Sequence, residues 1–148
     1  MLAIVATVFF GFIYARSTDD VAYLRRAAEV VQSELRYLQS RAIREGILYK
    51  AEFDIVGNSI RFRYSENLRT GNLNSTLFET LYLAPLGVSL DTSTFPHNLR
   101  YNPRGTATPA GALVLRRGNT RIQLTSALGS GRIRINEINK VVTDEDYY

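Results

Sequence analysis

The hydrophobic pattern divides the chain near residue 46. Met1 to Ala15 (MLAIVATVFFGFIYA) is uncharged and almost wholly apolar, with Leu2, Ile4, Val5, Val8, Phe9, Phe10, Phe12 and Ile13 on every side of a helix. Val21, Leu24, Ala28, Val31, Leu35, Leu38 and Ala42 then recur at intervals of three and four, with Arg25, Arg26, Glu29, Glu34, Arg36 and Arg41 around them. This is one apolar stripe on an otherwise polar helix. No Pro interrupts residues 1–45, and Gly46 stands where a helix-terminating glycine belongs. The pattern predicts one long helix, with a break near Ser17, Thr18 or Asp19, all capping residues, as the alternative. The first 15 residues of helix span about 22 Å. That is short of the roughly 20 residues that cross a bilayer core. A secretory signal would carry basic residues ahead of its apolar run. None is present, and Arg16-Ser17-Thr18-Asp19-Asp20 leads into more helix. An all-apolar segment needs lipid or other helices on every side, whereas the amphipathic remainder needs a domain on one side.

After Gly46 the period shortens to that of strands. Residues 47–56 run into Gly57-Asn58, and Ile60, Phe62 and Tyr64 then alternate with Arg61 and Arg63. Two such runs joined at Gly-Asn predict a hairpin. Residues 66–76 form a polar loop whose Asn74-Ser75-Thr76 matches a glycosylation sequon, a match that chance accounts for. Phe78 to Leu90 predicts one or two strands bent at Pro85-Leu86-Gly87. Residues 91–110, with three of the four prolines, predict a loop-rich crossing. Residues 113–117 and 120–125 form a second hairpin about Gly118-Asn119, and Arg132 to Ile135 is the last strand. The expected organisation is an apolar segment (1–15), an amphipathic helix (16–45), a β-rich domain (46–141) and an acidic tail (142–148).

Charge adds a second asymmetry. Acidic and basic residues balance over 1–95. Residues 96–143 carry Arg100, Arg104, Arg116, Arg117, Arg121, Arg132, Arg134 and Lys140 against Glu137 alone. A basic half favours polyanionic partners, although arginines that serve only solubility would give the same balance. Signs of catalysis are weak. There is no Cys, and the single His, His97, lies in a Pro-containing loop with no HExxH or GxSxG pattern near it. No cofactor or metal site is expected, and the chain does not read as an enzyme. The positive signal is Gly131-Arg132-Ile133-Arg134. In a strand, Arg132 and Arg134 share one face about 6.6 Å apart, with Ile133 and Ile135 turned to the core. Arg121 joins them if its strand lies alongside, and Arg116, Arg117 and Arg104 lie in or near the adjoining turns. Arginine forks suit phosphate oxygens, and glycine permits close approach of a backbone.

Taken in order, these pieces resemble the minor pilins and pseudopilins of the FimT/GspH type over roughly residues 2–135. The apolar helix gives way to an amphipathic one ending in Arg41-Ala42-Ile43-Arg44-Glu45-Gly46, which is similar to the family's helix end. Arg100-Tyr101-Asn102-Pro103-Arg104-Gly105 is similar to a Pro-x-Gly segment of the family, and Gly131 to Ile135 to its closing strand. The resemblance implies an α+β, pilin-like fold: a long N-terminal α-helix packed on a small antiparallel β-rich domain. It implies other pilins or pseudopilins as partners in a type IV pilus or type II secretion pseudopilus. It also implies residence in the bacterial inner membrane before assembly, with the globular domain on the periplasmic or extracellular side. For FimT-type members it implies DNA binding during natural transformation, which falls here on Arg132 and Arg134. The structural alternative is a pseudopilin whose basic face meets an acidic partner. The family's basic leader, Gly cleavage site, Phe-Thr-Leu-Ile-Glu-like start and helix proline are not visible, and Met1 aligns several residues inside the mature helix.

Overall fold

The computed structural model describes residues 2–66, 75–93, 95, 98–127, 130–136 and 139–140, with side chains from residue 19 to residue 136. A single helix, α1, runs without a break from Leu2–Glu45. Continuity through residues 16–20 settles the alternative of two helices. Gly46 ends it at φ 70°, its N–H donating to Ala42 O at 3.0 Å. Among the described residues, no helix has an apolar window long enough to cross a membrane.

Among the described residues ten strands follow: β1 (Leu48–Asp54), β2 (Ser59–Ser65), β3 (Thr76–Tyr82), β4 (Ser89–Ser93), β5 (Leu99–Tyr101), β6 (Ala107–Thr108), β7 (Gly111–Arg117), β8 (Thr120–Ser126), β9 (Ile133–Ile135) and β10 (Asn139–Lys140). A 3-10 turn at Ala84–Leu86 joins β3 to β4. The strands form two sheets, ordered β3-β2-β1-β5-β6 and β10-β8-β7-β4, with β9 also paired to β8. Every pairing is antiparallel. This is the α+β architecture that the sequence implied.

Both expected hairpins form. In the first, Asp54 pairs with Ser59, and Asn58 takes a positive φ of 48° while Asp54 Oδ1 accepts the Gly57 N–H. In the second, Arg117 pairs with Thr120 across Gly118-Asn119. β8 shows the alternation of a strand with one face covered: Thr120, Ile122, Leu124 and Ser126 are buried and Arg121, Gln123 and Thr125 are not. Three expectations need correction. The crossing at 91–110 contains β5 and β6, too short for alternation to reveal them. The last expected strand begins at Ile133 rather than Arg132. A further short strand, β10, follows it. His97, Asn74 and the tail 142–148 lie outside the described residues.

The core lies under α1. Leu24, Ala27, Ala28, Val31, Leu35, Leu38 and Ala42 are buried against Tyr49, Ala51, Leu99 and Tyr101 of the first sheet and Leu113, Leu115, Ile122, Leu124 and Ile133 of the second. A fully buried Leu or Val contributes about 1.5–3 kcal/mol. The stripe is therefore the largest single attachment of helix to domain. Ala at 27, 28 and 42 lets backbones approach where a larger residue would hold them apart.

Two core tyrosines carry a pH signature. Burial raises the Tyr101 hydroxyl well above its ordinary range. Burial, and then a hydrogen bond to Glu45, pushes Tyr49 up to about 12. The folded state favours their neutral forms, so their contribution is complete below the unfolded value near about pH 10 and is lost as pH rises through the folded values. The melting temperature should be level up to about pH 9 and fall beyond about pH 10. Tyr101→Phe should lessen the fall, as followed by circular dichroism across a pH series. An equal fall in that variant would assign the loss to other groups.

Candidate polyanion-binding face

The site is built from one edge of α1. Gln32, Arg36, Gln39 and Ile43 succeed one another at four, three and four residues, so they line one strip beside the buried stripe. Gln32 Nε2 donates to Ile133 O at 2.8 Å. Gln39 Nε2 donates to Gly105 O at 2.7 Å and to Ser130 O at 3.2 Å. Two parts of the chain far apart in sequence, the turn at 102–105 and the segment at Ser130, thus dock on one glutamine.

Glycine makes the docking possible. Gly105 (φ 81°) lies against Ile43, where an added Cβ would stand 2.6 Å from Cδ1. Gly131 (φ 67°) has still less room: a Cβ would meet Gln39 Nε2 at 2.6 Å and Gly105 O at 2.7 Å. Both values of φ disfavour side chains. Asn102 shapes the first turn, its Oδ1 accepting the N–H groups of Arg104 and Thr106 at 3.0 Å each. The two glycines touch, so their neighbours Arg104 and Arg132 share one end of the domain. Arg134 follows on β9, opposite Thr125. Gly131 and Ile133 are buried while Arg132 and Arg134 are exposed, as the strand period requires.

Arg36 was not among the residues singled out from sequence. It lies on α1 between Gln32, bonded to Ile133, and Gln39, bonded to Ser130, and is therefore level with Arg132. Its signal was present in the helical spacing of Gln32, Arg36 and Gln39, two glutamines flanking an arginine beside the apolar stripe. Among the described residues, the guanidinium groups of Arg36, Arg104, Arg132 and Arg134 have no ion pair and no hydrogen bond. Their field is uncompensated by those residues, which is what attracts a polyanion.

The remaining candidates lie elsewhere. Arg121 is on the outer face of β8, as expected, but four residues from Thr125, or about 13 Å along the strand. Its Nε lies 3.2 Å from Asp91 Oδ2, and Arg116 Nη1 lies 3.9 Å from Asp91 Oδ1. One carboxylate thus offsets part of both charges. Arg117 turns to the helix. Its Nε donates to Asp20 Oδ1 at 2.9 Å, its Nη1 to Gly87 O at 2.7 Å, and its guanidinium lies 3.9 Å from the centre of the Tyr23 ring. It clamps the second hairpin to α1. The sequence showed its charge but not its direction, because the neighbours that claim it are 97 and 30 residues away.

No protein-family model and no curated protein matches the chain. Solved structures do. The type IV minor pilin FimU of Pseudomonas aeruginosa is 14% identical with a TM-score of 0.59, over 77% of this chain and 88% of that one. The minor pseudopilin EpsH of the Vibrio cholerae type II secretion system is 16% identical with a TM-score of 0.53, over 82% of this chain and 98% of that one. At these identities the likeness establishes the fold: this chain has the fold of minor pilins and pseudopilins.

Two substitutions should separate architecture from charge. Gly131→Ala should destabilise the domain by about 1–3 kcal/mol through its φ and the crowding at Gln39. Arg117→Ala should cost about 1–2 kcal/mol by removing the clamp and leaving Asp20 unpaired. Urea denaturation measures both, and a neutral Gly131→Ala would mean that the two turns do not dock as described.

Proposed function

We propose that the chain is a minor pilin of a type IV pilus that binds DNA during natural transformation. The observation that carries this reading is a group of arginines, Arg36, Arg104, Arg132 and Arg134, that have no ion pair among the described residues and lie at one end of a pilin-like fold. Guanidinium forks contact phosphate oxygens without regard to base identity, so binding is sequence-tolerant and driven by counterion release. In this reading Leu2 to Ala15 lies in the inner membrane before assembly and among the helices of other pilins afterwards. The domain is presented on the periplasmic or extracellular side. Catalysis has no part in the proposal.

The second reading is a structural pseudopilin of a type II secretion pseudopilus, in which the same arginines meet an acidic face of a neighbouring subunit. The likeness to EpsH, comparable in extent to that with FimU, favours keeping it. Fluorescence anisotropy of the full chain in non-ionic detergent, with duplex DNA over a salt series, distinguishes the two. Replacing Arg132 and Arg134 together by Ala should lower the log–log salt slope by about two. Adding Arg36→Ala and Arg104→Ala should remove about two more. Replacing Arg116 and Arg121 should change the slope far less. No binding at low salt by the folded chain would leave the pseudopilin reading in place.

A further inference from the structure

The opposite end of the domain carries a different kind of surface. β1 leaves the C-terminal end of α1 and runs back along it, so the β1–β2 turn lies toward the helix N-terminus. Several contacts fix that level. Arg117 holds Asp20, and an added Cβ at Gly87 would stand 3.1 Å from the Tyr23 ring. Asn58 then links the β1–β2 turn to this layer, accepting the Leu83 N–H at 3.1 Å and donating from Nδ2 to Val88 O at 3.1 Å. The rim of the layer is apolar and exposed: Val56 is 99% accessible, Tyr82 62% and Ile55 48%, with Pro85 exposed beside them. Val56 and Ile55 occupy a tight turn whose geometry is set by Asp54 and Asn58 and requires no hydrophobic side chain.

We infer that this rim is a membrane-interface contact, in which Val56, Ile55 and Tyr82 enter the headgroup region of a phospholipid bilayer next to the emerging helix. The inference rests on the reading of Leu2 to Ala15 as a membrane segment. Its physical basis is a distance. The last residue of the apolar run is Ala15, and Asp20 is already bonded to the base of the domain. Five residue rises of continuous helix separate them, about 7.5 Å. The polar layer of one leaflet is roughly 5–8 Å deep. With Ala15 at the edge of the hydrocarbon, the base therefore stands in or against the headgroups, and α1 has no break to hold it off. Tyr at such a level places its ring among acyl chains and its hydroxyl among headgroups. Exposed Val and Ile at a turn tip gain apolar burial that water denies them. Gln39, which marks the arginine face, is 19 residues beyond Asp20, about 28 Å farther out. The domain thus presents an apolar base to lipid and a basic end away from it.

The chain has no Trp, so single tryptophans report depth without background. Val56→Trp, Leu77→Trp at the far end of the first sheet, and Phe9→Trp in the apolar run would each be placed in the full chain. Each would be reconstituted in phosphatidylethanolamine/phosphatidylglycerol vesicles with spin labels either near the headgroup or deep in the acyl chains. Trp at 9 should be quenched most by the deep label. Trp at 56 should be blue-shifted and lose about half its emission or more to the shallow label, as for an interfacial side chain. Trp at 77 should resemble Trp in water. Quenching at 9 without quenching at 56, or equal quenching at 56 and 77, would overturn the interface contact alone and leave the rim to a neighbouring subunit. No quenching at 9 would overturn the membrane reading and this inference with it.

Discussion

Everything in this molecule hangs from the apolar stripe of α1. Leu24, Val31, Leu35 and Leu38, with Ala27, Ala28 and Ala42 between them, are buried under two sheets at once. The sheets meet chiefly on that stripe, with Asn58 as a polar link between the first hairpin and the start of β4. Hydrophobic burial is large but non-directional. It holds the layers together without specifying how the turns sit on the helix edge. Gln39, Gln32 and Arg117 supply that direction through hydrogen bonds to backbone carbonyls.

This division of labour explains the distribution of charge. Arginines that face a carboxylate at short range are consumed by architecture. Arg117 serves the helix, Arg61 pairs with Asp54, Arg63 with Glu52, and Arg121 and Arg116 share Asp91. Arg104 and Arg132 at the Gly105–Gly131 junction, with Arg134 on β9 and Arg36 on α1, have no such partner among the described residues. All four side chains are exposed, and Asn102 and two glycines fix the turns that carry Arg104 and Arg132. Exposed guanidinium groups without a carboxylate partner among the described residues suit the repetitive anionic ligand proposed above.

Helix continuity gives the molecule polarity. One unbroken element joins the apolar run, the exposed apolar base and the basic far end, so distances along it convert directly into levels. A break near residues 17–19 would have uncoupled the domain from the apolar segment. The absence of Pro and the match between Asp20 and Arg117 on the first turn inside the domain keep the two in register.

Periodicity alone determined most of the architecture: the helix and its stripe, both hairpins, the bend at Pro85 to Gly87, and the outward direction of Arg132 and Arg134. These are local properties, set by spacings of two and 3.6 residues and by turn chemistry at Gly and Asn. Tertiary structure decided which arginines find a partner among the described residues. Asp20, Asp91 and Gly87 are far in sequence from the groups they engage, and no local pattern registers that. It also brought Gly105 to Gly131 and set Arg36 level with Arg132, because that arrangement exists only when two turns close on the same edge of the helix. β5, β6 and β10 escaped notice for a related reason. Strands of two or three residues have too few positions to alternate, and they become strands only through a partner already in place.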